Sequence, residues 1–315
     1  MNEMLVFGTP ESINAIAVSY HIDQQNIIPD SAYCIKDPYN PYKLPAYTIR
    51  LLYKDGVTPS FNKGTGVQVS QSPNIWDLTY VNNDWSSLLS NHEDLLEVLG
   101  ANAEYVQALH DTFWRCLSLT KVALFDTSNV TDMRQTFDYC PSLEIVPLFD
   151  TSKVTNMYYM FGNCRSLVSI PLFDTSNVTN MRQMFVWCTS LKNVPLFNMA
   201  NVTSTHYMFD FCSSLETVPL FNTSNVTDMQ GMFEGCESLK QIPLFDTSKV
   251  TNMSQMFWDC YNVEHGALAL YQQASTQATP PQQHVGTFYQ CGINSDSGSA
   301  ELAQIPLDWK NNPWE

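Results

Sequence analysis

The sequence predicts an α/β repeat solenoid, a stack of 24-residue coils that each carry a short helix and a short strand, preceded by a small β-rich domain. Three observations predict it. Cys116, Cys140, Cys164, Cys188, Cys212, Cys236 and Cys260 recur at that one interval. Phe113, Phe137, Phe161, Phe185, Phe209, Phe233 and Phe257 keep step three residues ahead of them. Each interval also contains a stretch of helical apolar spacing followed by a shorter extended one. A fixed period of this size marks a solenoid, whose units bury their apolar side only against neighbouring units.

Residues 1–93 lie outside the repeat and read as a β-rich docking or capping domain. Thr9-Pro10-Glu11 has the form of a helix start, with Ile13, Ile16, Ala17 and Tyr20 on one face. Tyr47–Tyr53 reads as a strand, Lys54-Asp55-Gly56 as its turn, and Val67–Val69 and Ile75–Val81 as further strands. Asp84-Trp85 opens a helical pattern, and Ser90-x-x-Glu93 forms a capping box before Leu95, Leu96 and Val98. Residues 94–266 form the solenoid, with an atypical first coil covering its open end.

Within a coil, Val154, Met157, Met160, Phe161 and Cys164 share one helical face, and Thr155 is placed to cap its start. Leu167-Val-Ser-Ile170-Pro-Leu172 then reads as a short strand, limited by Pro171. Strands stack at about 4.8 Å and helices at roughly 8–10 Å, so such coils would bend with the strands on the concave side. Residues 267–315 read as a cap. There Ala267–Ser275 is a helix, Phe288-Tyr-Gln-Cys291 revives the repeat step, and Leu302-Ala-Gln-Ile305-Pro-Leu307 repeats the form of Leu239–Leu244.

The formal net charge of −16, with Lys and Arg dispersed, disfavours nucleic acid and anionic membranes, which need a basic footprint. Neither a signal peptide nor the roughly 20 apolar residues of a membrane span is visible. The cysteines follow the repeat, without CxxC or HxxxH spacing, and read as a column of small buried hydrophobes rather than disulfides or metal ligands. Lys63-Gly-Thr-Gly66 lacks the form of a phosphate loop. No catalytic constellation stands out, so the expectation is a protein that is not an enzyme and uses no cofactor and no metal.

The repeat Phe-Asp-Thr-Ser-Asn-Val-Thr-x-Met-x-x-Met-Phe-x-x-Cys-x-Ser-Leu resembles the BspA-like leucine-rich repeat family over roughly residues 95–266. The resemblance implies binding or adhesion, with a protein or glycan on a host surface as partner, and an extracellular location. The flanks, Tyr47–Asn102 and Ala267–Trp309, look like those of proteins from gut bacteria and their phages. That second resemblance implies a virion component docked through residues 1–93, with other virion proteins as partners.

The repeat's variable positions carry what is specific to this chain. Tyr139, Trp187 and Phe211 fall just before the cysteine, and Trp258 one place earlier. Tyr159 and the His206-Tyr207 pair follow two residues after the first Met position. These seven are the candidate ligand-binding residues; the competing reading makes them packing on a convex helical layer. Glu144, Val168, Lys192, Asn193, Glu216, Lys240 and Gln241 would line the opposite, concave face. The column Asp126, Asp150, Asp174, Asn198, Asn222, Asp246 reads as turn caps, with a row of cation sites as the alternative. Asn129, Asn177, Asn201 and Asn225 match the glycosylation sequon through their place in the repeat.

Overall fold

A computed structural model describes residues 48–57, 59, 68–72, 74–79, 83–103 and 105–312. The helix start at Thr9, Lys63–Gly66, Val67 and Val81 lie outside the described residues. Five strands form one mixed sheet: β1 (Thr48–Tyr53), β2 (Gln68–Ser72), β3 (Ile75–Thr79), β4 (Leu95–Ala101) and β5 (Lys121–Val122). Their order is β2-β3-β1-β4-β5. The pairing is antiparallel except between β4 and β5, and Lys121 continues through a parallel bridge to Ile145. The sheet therefore runs into the coil stack, and one apolar core extends from Ile49 to Trp309.

Leu95, Leu96 and Val98 lie on β4 instead of the helix that the Ser90 box suggested. Pairing with β1 on one side and β5 on the other satisfies the strand's backbone, which local capping cannot match. The Ser90 hydroxyl donates to the Ser87 carbonyl at 3.1 Å. The strand expectations at Tyr47–Tyr53 and Ile75–Val81 correspond to β1 and β3.

Within the coils, the stretch read as a helix is a pair of tight turns instead. Met160 donates to Met157, Gly162 to Tyr159, and Cys164 to Phe161, at 3.0–3.2 Å. The alternating amides of Met157, Tyr159, Phe161 and Asn163 donate to Asn180, Arg182, Met184 and Val186 in the next coil, at 2.7–3.2 Å. This division of donors requires a left-handed residue as the third of each turn. Tyr159 (φ 54°) and Asn163 (φ 59°) occupy those places, and Gln135, Tyr139, Gln183, Trp187, Tyr207, Phe211, Gly231 and Gly235 hold the same two columns. An α-helix would keep every amide inside its own coil, whereas here half of them join coils. The expected strand is likewise reduced to isolated parallel bridges such as Asn193–Thr217 and Gln241–His265. Thr155 does not cap a helix: its amide donates to Thr131 of the preceding coil at 3.0 Å.

With no helical layer, the stated reason for bending falls away. The Phe113 column stacks with ring centroids 5.2–5.7 Å apart and planes within 10° of parallel. Rings in the second column are mostly spaced more widely, Phe197–Phe221 at 6.2 Å and Phe221–Phe245 at 6.4 Å beside Phe125–Phe149 at 5.2 Å. Neither column approaches the roughly 8–10 Å of packed helices.

The polar residues of the repeat fasten one coil to the next. Each cysteine from Cys116 to Cys260 is buried and unpaired, and its Sγ–H donates to a carbonyl of the preceding coil; Cys164, for example, reaches Phe137 O at 3.1 Å. Burial pushes all these thiols up, far from thiolate formation. Asp150 Oδ1 accepts the Ser152 amide at 3.0 Å, and Asp126, Asp174, Asn198, Asn222 and Asp246 do the same in their own turns. These are caps, as the turn chemistry suggested. Asn177, Asn201 and Asn225 donate their amides to carbonyls of the preceding coil at 2.7–2.8 Å. The sequon match thus reflects a structural hydrogen bond.

The C-terminal cap contains α1 (Ala267–Thr276), close to the expected Ala267–Ser275, and α2 (Asp296–Gln304). Phe288 extends the ring stack on Phe257 at 5.9 Å, and Trp309 closes it, its carbonyl accepting the Phe288 amide at 2.9 Å. Leu302 ends up near the end of α2 rather than on a coil strand. Gly266 precedes α1 at φ 105°, where an added Cβ would meet Ile242 O at 2.3 Å. Gly266→Ala is expected to cost about 2–4 kcal/mol, because a left-handed turn and a backbone clash combine; urea unfolding measures it.

Candidate functional site

The two left-handed columns place their side chains along one flank of the stack, and there a groove of about 550 Å³ opens. Four of the seven candidate residues line it: Tyr139, Tyr159, Trp187 and Tyr207. Trp114 and Tyr158 join them, making six rings drawn from successive coils. Tyr139 is 47% exposed and Trp187 39%, so these rings are surface and not the covering of a helical layer.

Phe211 stands behind the groove, stacked on Trp187 at 4.2 Å with planes 8° apart. Beyond it the column holds Gly235, whose missing side chain lets the Phe211 ring rest on backbone: an added Cβ would come within 2.8 Å of that ring. Tyr207 lies against Gly231 in the same way, at 2.1 Å from where a Cβ would be. His206 packs edge-on to Tyr207 at 4.3 Å beside Arg182, and burial pushes its imidazole down. It does not line the groove. Trp258 lies apart, stacked on Tyr289 at 4.1 Å.

Polar groups fix the rings. Gln183 Nε2 donates to the Tyr159 hydroxyl at 2.6 Å, and Gln230 Nε2 to the Tyr207 hydroxyl at 3.2 Å. Asp138 forms part of the floor, 4% exposed, and accepts from Asn163 Nδ2 at 3.3 Å. The missing side chain of Gly162 leaves room for it, since a Cβ there would sit 2.7 Å from Asp138 Oδ1. Burial pushes the Asp138 carboxyl up to about 6 despite that hydrogen bond.

A second carboxylate, Asp210, also lines the groove and leads into a row that continues past it. Burial, then the neighbouring Glu234, push Asp210 up to about 8; burial, then Asp259, push Glu234 up to about 7. Asp259 is raised by burial as well. One oxygen of each (Asp210 Oδ1, Glu234 Oε2, Asp259 Oδ1) is buried without a hydrogen-bond partner. Among the described residues, no three His, Cys, Asp or Glu side chains converge as metal ligands.

The sequence named Asp138-Tyr139, Asp210-Phe211 and Glu234-Gly235 only as variable pairs. It attached no function to their carboxylates or to Trp114 and Tyr158. The available signal was the period itself: side chains 24 residues apart are neighbours, so Asp210 and Glu234 must meet. The strand-side residues Glu144, Val168, Lys192, Glu216 and Lys240 are exposed, with backbone bonds joining Val168 to Glu144, Glu216 to Lys192 and Lys240 to Glu216 at 3.0–3.3 Å. Their one close ion pair is Lys240–Glu264 at 3.8 Å.

A protein family described as "Mycoplasma protein of unknown function, DUF285" matches residues 107–218 and 192–278, together more than half of the chain. No curated protein matches. Among solved structures, the chain is similar to a leucine-rich repeat protein of T. pallidum (TpLRR), at 22% identity and a TM-score of 0.40, over 54% of this chain and 74% of that one. A leucine-rich repeat protein from Eubacterium ventriosum gives 20% identity and 0.32 over 48% and 43%. One from Bacteroides ovatus gives 14% and 0.19 over 72% and 83%.

Proposed function

We infer that this chain, which belongs to the DUF285 family and is built on the BspA-like leucine-rich repeat, is a non-enzymatic binding module whose working surface is the aromatic groove. One observation carries the reading. Exposed rings are gathered on one flank by a repeat whose fixed residues are otherwise spent on the fold. Grouped aromatic rings beside hydrogen-bonding side chains are the kind of surface that anchors a protein or sugar partner. The partner we propose is a protein or glycan on a host surface, with the protein displayed outside the cell. Tyr139, Tyr159, Trp187 and Tyr207 are its contacts, and Phe211 supports Trp187. His206 and Trp258 are proposed only as outlying contacts. We propose residues 1–93 as docking unit, 94–266 as solenoid and 267–315 as cap.

The test is capture of host surface proteins and glycans by the intact chain and by the double variant Tyr139→Ala, Trp187→Ala. Loss of about tenfold or more in affinity, with an unchanged circular dichroism spectrum, is the expected result. Undiminished capture by the double variant sinks the assignment of this surface. A second reading, a phage virion component docked through residues 1–93, comes from the resemblance of the flanks; the pairing of β1 with β4 and of β4 with β5 joins the N-terminal strands to the coils, as such a mounting would need. Its absence from purified particles would exclude that mounting.

A further inference from the structure

The groove's charge and its rings point to a narrower class of ligand, on the reading that this flank is the binding surface. Six aromatic rings and two carboxylates line it, and neither lysine nor arginine does. Two neighbouring guanidinium groups already have partners. Arg115 lies over the outer Trp114 ring at 5.5 Å and faces Glu93 at 3.9 Å, while Arg182 meets His206 at 3.4 Å. Asp210 Oδ1 is buried with no donor, and Glu234 behind it adds like charge. The lining is thus rings and carboxylates, completed by the amides of Gln135, Asn163 and Gln183 and by Val186, with no cationic side chain among them.

The kind of cation follows from what the walls lack. A hard metal ion needs several oxygen ligands at short range, and no such trio converges among the described residues. A primary ammonium is strongly hydrated and needs three acceptors aimed at it. A quaternary trimethylammonium has no N–H to donate, sheds its water readily, and is held by ring faces and diffuse negative charge. Tyr158 and Tyr159 meet at 77° with centroids 4.8 Å apart, so two ring planes form a corner. Trp187 supplies a third surface, braced from behind by Phe211.

We propose that the groove binds a trimethylammonium group of the choline type between Tyr139 and Trp187, beside Tyr159 and over the charge of Asp138. Binding would draw Asp138 toward ionisation, so it releases a proton and strengthens as pH rises.

The test titrates the full-length protein with choline, following tryptophan fluorescence and calorimetry at pH 5 and pH 8.5. Parallel arms use a trimethyl-lysine peptide, its unmethylated counterpart and neutral oligosaccharides. Expected are saturable choline binding, several-fold tighter at the higher pH, and a loss of about tenfold or more in Trp187→Ala. Asp138→Asn should retain the fold, bind several-fold more weakly, and release fewer protons on binding. Preference of about tenfold for the trimethyl-lysine peptide over choline overturns the choline assignment. Saturable binding of a neutral oligosaccharide with no response to choline overturns the cation and leaves the groove as the binding surface. Silence in every arm, with host capture unaffected by the Tyr139, Trp187 double variant, overturns both.

Discussion

Truncating Phe185 to alanine is expected to destabilise the solenoid by about 3–5 kcal/mol. The ring is fully buried and lies between Phe161 at 5.7 Å and Phe209 at 5.5 Å, with Phe197 at 6.1 Å to one side. Its loss opens a void that the neighbouring coils cannot close, since each is tied to the next by backbone bonds at fixed spacing. Because a solenoid's stability is a sum of nearest-neighbour interfaces, damage in the middle of the column also uncouples the two halves. Urea unfolding should show an earlier first transition and a broadened or split profile. Leu196→Ala is the matched control. That leucine, in the column of Leu148, Leu172, Leu220 and Leu244, is 59% exposed, and its removal should change stability by no more than about 0.5 kcal/mol. Equal effects from the two substitutions would mean that the ring column does not hold the coils together.

The second large effect is on pH dependence. Asp210 and Glu234 have folded-state pKa values of about 8 and about 7, above the ordinary carboxylate range. Raised carboxyl groups keep their protons in the folded state after the unfolded chain has lost them. Stability is therefore fully present below about pH 4, falls as pH rises through the interval, and levels off above about pH 8. Their partial exposure limits the effect to on the order of 1–3 kcal/mol. Asp210→Asn combined with Glu234→Gln should flatten the decline in melting temperature between pH 5 and pH 9. It should also raise that temperature by several degrees at pH 9, at about 2–4 °C per kcal/mol. An unchanged slope would show that the row is open to water or ions and carries no penalty.

The period, the stacked cysteine and phenylalanine columns, the turn caps and the helix after Gly266 were all legible in the sequence, because each rests on a local rule or on strict repetition. The conformation inside the coil was not. Val154, Met157, Met160, Phe161 and Cys164 satisfy a helical spacing, yet a pair of turns brings the same residues inward. What separates the two is the left-handed residue at the third place of each turn, usually held by glycine or asparagine. Asn163, Gly231 and Gly235 signalled it, but Tyr159, Trp187 and Phe211 occupy the same columns and hid the pattern. Half of the candidate surface was legible for the same reason: position in the repeat locates a ring, but not whether it faces a cavity, a glycine or another ring. The carboxylate row needed the third dimension, since nothing local in Asp210 or Glu234 reports that their oxygens lack donors.

Trp309 at the end of the ring stack has a consequence for assembly. Every coil offers the next a row of outward carbonyls and amides, and any open end of such a row is a template on which a second molecule could continue. The Phe288 amide is occupied by Trp309, and the indole covers the last phenylalanine, while β1–β3 stand at the opposite end. Among the described residues, an indole thus covers the ring stack at one end and antiparallel strands follow the parallel ladder at the other, so neither end presents a bare coil for a second molecule to continue.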